Sequence, residues 1–334
     1  MIPSLLLVLP AVAVPWSDLV QTAPDAAGGA CAPTTETHLV QVPVELSEAA
    51  LVYVSVSDWD GPITVGLADG PMACHAASTP PPPLHVAAAS PHTMVRWLPA
   101  GTHTIELSAQ APASAIVSFS VTSPSTLVDH GIDAGLARVA LMASDLAWTE
   151  GHAQRPTLAI ADFSRSSTEE RLWVVDLSDA TLRHHLFVTH GKGSGHRSDA
   201  TRAVRFSNEP YSNQTSPGLF RASETYQGDH GRSMRLDGLE PAVNDLARDR
   251  AIVIHGAEYA RPDHIAEWGY LGRSHGCPAV DDRAVQALID DLHDGGLLYA
   301  RGRKRGDCCT LRTGTEASPD APYLPDPLGL VTIY

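Results

Sequence analysis

Short runs that alternate apolar and polar residues, each ended by a turn sequence, fill most of residues 38–121. The runs cover 38–44, 51–57, 63–67, 93–98, 102–108 and 115–121, and the breaks include Asp60-Gly61 and Pro99-Ala100-Gly101. Alternation with a period of two places apolar side chains on one face of a strand. Strands that recur about every ten residues between turns are typical of an antiparallel sandwich. Residues 31–123 are therefore predicted to form a β-sandwich accessory domain.

The length and the charge of the chain narrow the classes of protein it can belong to. Its 334 residues are enough for two domains, each with its own core. Its 23 basic residues stand against 38 acidic ones, which gives a formal net charge of −15. Nucleic acids and anionic membrane surfaces attract basic proteins, so neither is expected as a partner.

Residues 1–25 are predicted to be a signal peptide and leader. The run LLLVLPAVAV at 5–14 is too short to cross a bilayer, and Ala11-Val12-Ala13 has the small-x-small pattern of a cleavage site. No Lys or Arg precedes this run, and a buried apolar strand is the alternative interpretation. No other stretch is expected to cross a membrane. The mature chain is thus expected in the periplasm or elsewhere outside the cytoplasm.

Five cysteines leave one unpaired if the other four form disulfides. Oxidation couples most cysteines in exported proteins. A Cys31–Cys74 bridge is the preferred pairing, whereas a direct bond between the adjacent Cys308 and Cys309 would be strained. Cys277 is the candidate for the unpaired thiol.

Residues 127–301 are predicted to form a β-rich α+β domain, followed by a C-terminal tail at 302–334. Apolar residues at three- and four-residue steps indicate a helix over 133–148, and a second helix is predicted over 281–293. Strand-like runs lie at 157–162, 172–177, 185–189, 250–254 and 296–300. They are expected to form a mostly antiparallel set. The whole chain is therefore expected to be mainly β, with a β-sandwich ahead of an α+β domain.

A histidine and a cysteine in this second region carry the candidate chemistry. The run AIVI leads into His255, and the segment SHGC at 274–277 follows about twenty residues later. A thiol is nucleophilic only as the thiolate, and a free cysteine with a pKa of about 8.5 needs a base nearby. His255 can be that base, and Gly276 lets the amides of Gly276 and Cys277 approach an oxyanion closely. The pattern predicts a cysteine acyl-transfer site.

Three further motifs precede these two residues along the chain. VTHGKGSG at 188–195, FSNEPYSNQTS at 206–216 and TSPGLF at 215–220 precede HG at 255–256 and SHGC at 274–277. In this combination the sequence resembles the YkuD-type murein L,D-transpeptidase catalytic-domain family over about 127–301. The resemblance implies an L,D-transpeptidase-like β-rich fold for this part of the chain.

The resemblance also implies a role for individual residues. Cys277 matches the nucleophile, His255 its base, and the carbonyl of Gly256 the group that orients the imidazole, while His275 and Gly276 match the oxyanion hole. Residues expected to bind substrate near the cleft are Ser274, Arg235, Ser233, Tyr226 and Asn208. Of these, the last four could equally satisfy loop backbone or pair with a carboxylate. Many relatives carry Arg or Asn two residues after the cysteine, where this chain has Ala279, which leaves recognition of the donor open.

The activity implied by the resemblance is acyl transfer between peptidoglycan stem peptides. Cys277 would attack the carbonyl at the L-centre of diaminopimelate in a tetrapeptide, release D-Ala and pass the acyl group to an amine. With water as acceptor, the same site is an L,D-carboxypeptidase, and the sequence does not separate the two. Carbapenems are expected to acylate Cys277, and no cofactor or metal is implied.

Two further classes compete with this interpretation. A zinc peptidase would use His196 and Asp199 with His230 or His255, but the sequence has no HExxH or comparable paired element. A non-catalytic protein that binds the cell wall through its β-module is the other alternative.

Overall fold

The computed structural model describes residues 38–57, 63–67, 92–109 and 116–302. The chain divides into two compact units, one ending at Ser123 and the other beginning at Pro124. Within the described residues no helix has both the length and the apolar character needed to cross a membrane. The predicted leader, most of the C-terminal tail and four of the cysteines (Cys31, Cys74, Cys308 and Cys309) lie outside these residues. The pairing of those cysteines stays a prediction.

The N-terminal unit is a sandwich of two antiparallel three-stranded sheets. Its strands are β1 (His38–Leu46), β2 (Ala50–Ser57), β3 (Ile63–Leu67), β4 (His92–Leu98), β5 (Gly101–Ala109) and β6 (Ile116–Thr122). The strand orders are β1-β5-β3 and β4-β2-β6. Leu46 and Ile105 of the first sheet share one core with Val52 and Val54 of the second. The apolar faces predicted from the alternation thus pack against each other, as in sandwiches generally.

One eight-stranded mixed sheet is the framework of the C-terminal unit. Its strands are β7 (Thr157–Asp162), β8 (Leu172–Asp176), β9 (Thr181–Leu186), β10 (Gly218–Gly228), β11 (Gly231–Gly238), β12 (Val253–Gly256), β13 (Ala279–Val280) and β14 (Leu297–Arg301). Their order is β13-β12-β11-β10-β14-β7-β8-β9. Only the β12–β13 and β14–β7 pairs are parallel. The mainly β, α+β architecture expected from the sequence is confirmed.

Among the described residues of this unit, four α-helices accompany the sheet: α1 (Pro124–Asp129), α2 (Ala134–Thr149), α3 (Pro262–Trp268) and α4 (Val285–Leu292). Helix α2 packs against β7 and β14, and α4 packs against β7, β11 and β12. Every residue of β7 is buried, which agrees with the unbroken apolar run of its four central residues, 158–161. Asp133 caps α2 by accepting a hydrogen bond from the amide of Leu136 at 3.0 Å. Helix α4 buries Val285, Leu288, Ile289 and Leu292.

Some boundaries differ from the sequence prediction for local reasons. Strand β9 lies ahead of the predicted run at 185–189, because Asp179 accepts hydrogen bonds from the amide and hydroxyl of Thr181 and closes a tight turn. Strand β12 begins after Arg250, because Ala251 has a φ of 54° and belongs to the preceding turn. The long β10–β11 hairpin was not predicted, since polar residues occupy both faces over much of its length.

Candidate active site

Neighbouring strands at one edge of the sheet bring His255 and the SHGC segment together. Strand β13 lies parallel to β12, with Ala279 opposite His255 and Val280 opposite Gly256. Cys277 stands two residues ahead of Ala279, and a backbone hydrogen bond from Val253 in β12 reaches its thiol. Residues that are 22 positions apart in the sequence are therefore adjacent in the fold.

His255 is held in the form that a general base requires. Its side chain is buried, and Nδ1 lies 3.0 Å from the carbonyl oxygen of Gly256. A carbonyl only accepts, so Nδ1 carries the proton and Nε2 keeps its lone pair. Burial lowers the pKa of His255, the hydrogen bond to Gly256 opposes this effect, and the nearby His230 lowers the pKa further. The imidazole is consequently neutral near pH 7.

The Cys277 thiol is half-buried and rests in its protonated form. Its Sγ donates to the carbonyl oxygen of Ala251 at 3.6 Å. Burial raises the pKa of Cys277, while the Val253 backbone and the charge of Arg250 lower it. A raised thiol pKa and a lowered imidazole pKa together favour a neutral pair over a preformed thiolate–imidazolium pair. A thiol in this state can act as a nucleophile only by giving up its proton to a base.

Ser274 forms two hydrogen bonds within the turn that carries Cys277. Ser274 Oγ donates to the carbonyl of Cys277 at 2.6 Å and accepts from the amide of Gly276 at 3.1 Å. The Gly276 amide, expected from the sequence to face an oxyanion, is thus bonded to Ser274. Ser274 therefore holds the turn in shape, and its contact with substrate stays a prediction.

Glycine is required at two points where the turn meets its neighbours. Gly276 has a φ of 129°, and a Cβ there would lie 2.9 Å from the carbonyl oxygen of Gln214. A Cβ on Gly191 would clash with the carbonyl oxygen of Asn213 and lie 2.9 Å from the Cα of Gly276. The glycine-rich loop and the SHGC turn therefore pack backbone to backbone.

The same loop places a cation beside His275. The amide of Lys192 donates to the carbonyl of Ser274 at 2.8 Å, and its Nζ lies 2.9 Å from Nε2 of His275. An ammonium group only donates, so Nε2 of His275 is the acceptor in this contact. Both side chains are exposed. Sequence reasoning missed Lys192, although it sits within a motif that was quoted.

Arg250 is a second residue that sequence reasoning missed. It donates to the carbonyl of Ser207 at 2.6 Å, the carbonyl of Gln214 at 2.7 Å and the hydroxyl of Ser212 at 3.2 Å, and also to the hydroxyl of Ser216. This guanidinium fixes the 207–216 loop and also acts electrostatically on Cys277. A basic residue directly ahead of an apolar run was the only signal in the sequence.

Tyr259 lies close enough to Cys277 for the two groups to interact electrostatically. Burial, with a contribution from Cys277, raises the pKa of Tyr259 to about 12. The phenol therefore keeps its proton and can donate a hydrogen bond. Tyr259 stands four residues after His255 in the segment HGAEY, and sequence reasoning gave it no role.

The four remaining residues expected at the cleft have partners within the protein. Asn208 donates to Asp245 at 2.6 Å and accepts from the amide of Leu246 at 3.1 Å, and the buried Ser233 donates to the carbonyl of Gly231 at 3.2 Å. These three hydrogen bonds support loops of the fold. The Arg235 guanidinium lies 4.7 Å from the centre of the Tyr226 ring and forms an ion pair with Glu224 at 3.3 Å. These two side chains lie on the β10–β11 hairpin.

The buried side chains of Arg171 and His190 support the glycine-rich loop at 191–195. Arg171 is fully buried and donates to Nδ1 of His190 at 3.0 Å and to the carbonyl of Val188. Burial lowers the pKa of Arg171 to about 9 and, with the charge of Arg171, lowers that of His190 to about 3. His190 is consequently a neutral structural group, and its Nε2 has no hydrogen-bond partner among the described residues.

Within residues 38–57, 63–67, 92–109 and 116–302, no three His, Cys, Asp or Glu side chains are grouped so that they could hold a metal ion.

A family model for the L,D-transpeptidase catalytic domain matches residues 129–301. The chain belongs to this family. No match was found among curated proteins.

Solved L,D-transpeptidases are similar to this chain at low sequence identity. One from Stackebrandtia nassauensis is 15% identical, with 50% of this chain and 69% of that chain covered and a TM-score of 0.25. One from Mycobacterium smegmatis is 13% identical, with coverages of 62% and 76% and a TM-score of 0.28. The LD transpeptidase LdtMt1, in complex with imipenem, is 12% identical, with coverages of 71% and 81% and a TM-score of 0.27. The family assignment depends on the family model and not on these scores.

Proposed function

We propose that this protein is a cysteine-dependent L,D-transpeptidase that acts on peptidoglycan tetrapeptide stems. The observation that carries the proposal is the pairing of β12 with β13, which sets a neutral, Nδ1-anchored His255 beside the strand that Cys277 leads into. A nucleophile beside an oriented base is the arrangement that acyl transfer requires. Membership of the L,D-transpeptidase catalytic-domain family supports this reaction class.

The first half-reaction forms a thioester. Nε2 of His255 takes the thiol proton as Sγ of Cys277 attacks the carbonyl carbon at the L-centre of the third stem residue. The amides of His275 and Cys277 are the donors we assign to the resulting oxyanion, because the Gly276 amide is bonded to Ser274. The carbon–nitrogen bond to D-Ala then breaks, and D-Ala leaves with the proton from His255.

The second half-reaction returns the enzyme to its starting state. An acceptor amine attacks the thioester carbonyl and gives a proton to His255. The carbon–sulfur bond breaks, and the thiolate recovers its proton from the imidazolium. The neutral resting pair favours this cycle, because His255 can accept a proton in each half-reaction and return it in each. Carbapenems, which carry a strained acyl group, are expected to acylate the same thiol.

Product analysis with purified disaccharide-tetrapeptides tests the proposal. Wild-type protein is expected to give cross-linked dimers with loss of D-Ala, whereas Cys277→Ala gives none. Tripeptide without dimer would assign the site to an L,D-carboxypeptidase. If wild type gives neither product, the proposed activity is wrong and a cell-wall-binding role becomes the leading hypothesis.

We also propose that the protein works outside the cytoplasm, where peptidoglycan lies. The apolar run at 5–14, which contains the small-x-small pattern Ala11-Val12-Ala13, supports export. Alkaline phosphatase fused after residue 25 should become active in cells if this leader directs export. An inactive but stable fusion would contradict the proposal.

A further inference from the structure

The tip of the β10–β11 hairpin lies against the imidazole of His255. Gly228 pairs with Gly231, so Asp229 and His230 form a two-residue turn. The rings of His230 and His255 are stacked, with centroids 4.3 Å apart and an interplanar angle of 18°. His230 is exposed, whereas His255 is 3% exposed. His230 therefore separates one face of the buried ring from solvent.

Two contacts within the hairpin stiffen its tip, and a third anchors it to helix α4. Arg235 lies over the ring of Tyr226, which stands two residues before Gly228. Ser233 donates to the carbonyl of Gly231 next to the turn. Arg232 donates to Asp290 of helix α4 at 2.6 Å. A turn anchored in this way loses little entropy when its histidine stacks.

The stack supplies a restraint that the hydrogen bond to Gly256 does not. A single Nδ1 hydrogen bond leaves the imidazole plane free to rock about that bond, and an aromatic χ2 torsion has a broad minimum. A parallel ring at van der Waals distance limits this motion and excludes water from the covered face. Both effects matter for a base whose Nε2 must meet a thiol proton.

We propose that His230 is a positioning residue that covers His255 and keeps its Nε2 directed at the reacting thiol. This inference rests on the proposed role of His255 as the base of Cys277. It assigns the hairpin tip a part in catalysis that does not require contact with substrate. His230 had been considered from the sequence only as a zinc ligand.

The groups around the His230–His255 stack determine how the pKa of His255 should change when the stack is removed. His230 is the titratable group that acts directly on His255, the carbonyl of Gly256 faces Nδ1, and Arg250 acts on the neighbouring Cys277. Two stacked imidazoles resist double protonation, so His230 adds to the effect of burial in lowering the pKa of His255. Removing the stack exposes His255 and removes this repulsion. Both changes raise its pKa toward the ordinary value.

The test is the rate at which iodoacetamide alkylates Cys277 in the full-length protein as a function of pH. This reaction needs no peptidoglycan, so it reports on His255 even if the proposed substrate is wrong. For His230→Ala we expect an alkylation rate about three- to tenfold lower near pH 7, from the loss of one aromatic stack. The acid limb of its pH–rate profile, where the rate falls as the pH is lowered, should shift to higher pH. His230→Phe keeps a flat ring and should stay within about twofold to threefold of wild type, with a smaller shift. His230→Gln, polar but without a ring, should behave like His230→Ala.

A matched control comes from another stacked histidine. His185 stacks on Trp173 with centroids 4.9 Å apart and an angle of 19°, but it lies on β9 at the opposite edge of the sheet from β13. His185→Ala should keep the wild-type rate and pH profile. Where muropeptides are turned over, His230→Ala should lower kcat and leave KM nearly unchanged. The proposal is overturned if His230→Ala keeps the wild-type acid limb, or if His230→Phe loses as much rate as His230→Ala.

Discussion

Replacing Arg250 tests whether one side chain both supports the loop beneath the turn and sets the reactivity of Cys277. Arg250→Met removes two hydrogen bonds to backbone carbonyls, Ser207 and Gln214, and two to serine hydroxyls. The hydroxyls can bond to water instead. A hydrogen bond from a charged donor is worth about 1.5 to 3 kcal/mol, and the half-buried site argues for the lower value, so losing the two carbonyl bonds costs about 3 kcal/mol. For a unit of this size that corresponds to a melting temperature lower by about 6 to 12 °C.

The thiol should respond in a defined direction. Arg250 lowers the pKa of Cys277, so Arg250→Met raises that pKa and slows alkylation at pH 7.5. Arg250→Lys keeps the charge but loses the planar fork, so it should destabilise the unit with a smaller effect on the thiol. Calorimetry of the full-length protein and alkylation at several pH values measure the two effects.

An exposed arginine provides the comparison for Arg250. Arg283 pairs with Asp263 at 2.8 Å on the surface, and such pairs contribute about 0 to 1 kcal/mol. Arg283→Met should therefore change the melting temperature by only a few degrees at most and leave the alkylation profile unchanged. If Arg250→Met is no more destabilising than Arg283→Met, the reasoning about the loop is wrong.

Three further predictions follow from the site. Gly276→Ala should lower kcat by about 100-fold because the added Cβ meets the carbonyl of Gln214. The control is Gly269→Ala, at a φ of 77° with open space around it, which should keep the wild-type kcat. Equal losses of kcat in muropeptide assays would contradict this prediction. The pKa of His190 is about 3 in the folded protein. Between about pH 6.5 and 3, this histidine is therefore protonated in the unfolded chain but neutral in the folded one. The free energy of unfolding should accordingly fall on acidification over this range, by as much as about 1.4 kcal/mol per pH unit. Urea titrations should show a weaker dependence in His190→Asn, and identical slopes would refute the assignment. Imipenem should add its mass to wild-type protein but not to Cys277→Ala, and an unchanged wild-type mass would count against an accessible nucleophile.

The sequence predicts most of the fold where one local signal dominates. The six strands of the sandwich lie within two residues of their predicted positions, because alternation and turns agree there. The β10–β11 hairpin was missed, because its long polar stretch carries no alternation. The shift of β12 toward Gly256 depends on its pairing with β13, which is a tertiary contact.

In the candidate site, too, the residues marked by a local motif were predicted and those that depend on tertiary contacts were not. His255 and Cys277 follow from motifs, because their chemistry needs particular residue types at a strand end and a turn. Lys192, Arg250 and the stacking of His230 could not be predicted, since each depends on a contact between segments far apart in the sequence. The engagement of the Gly276 amide by Ser274 depends on side-chain geometry within the turn. Spacing alone does not determine it.

The most direct test of the account is the intact mass of the protein after a rapid quench with a disaccharide-tetrapeptide donor. Wild-type protein should gain the mass of the donor minus D-Ala, located at Cys277. His255→Ala should accumulate this adduct far more slowly, and Cys277→Ala should not form it. Cross-linked products formed by Cys277→Ala, or an acyl adduct on any other residue of the wild-type protein, would contradict the assignment of Cys277 and His255 as the acyl-transfer pair.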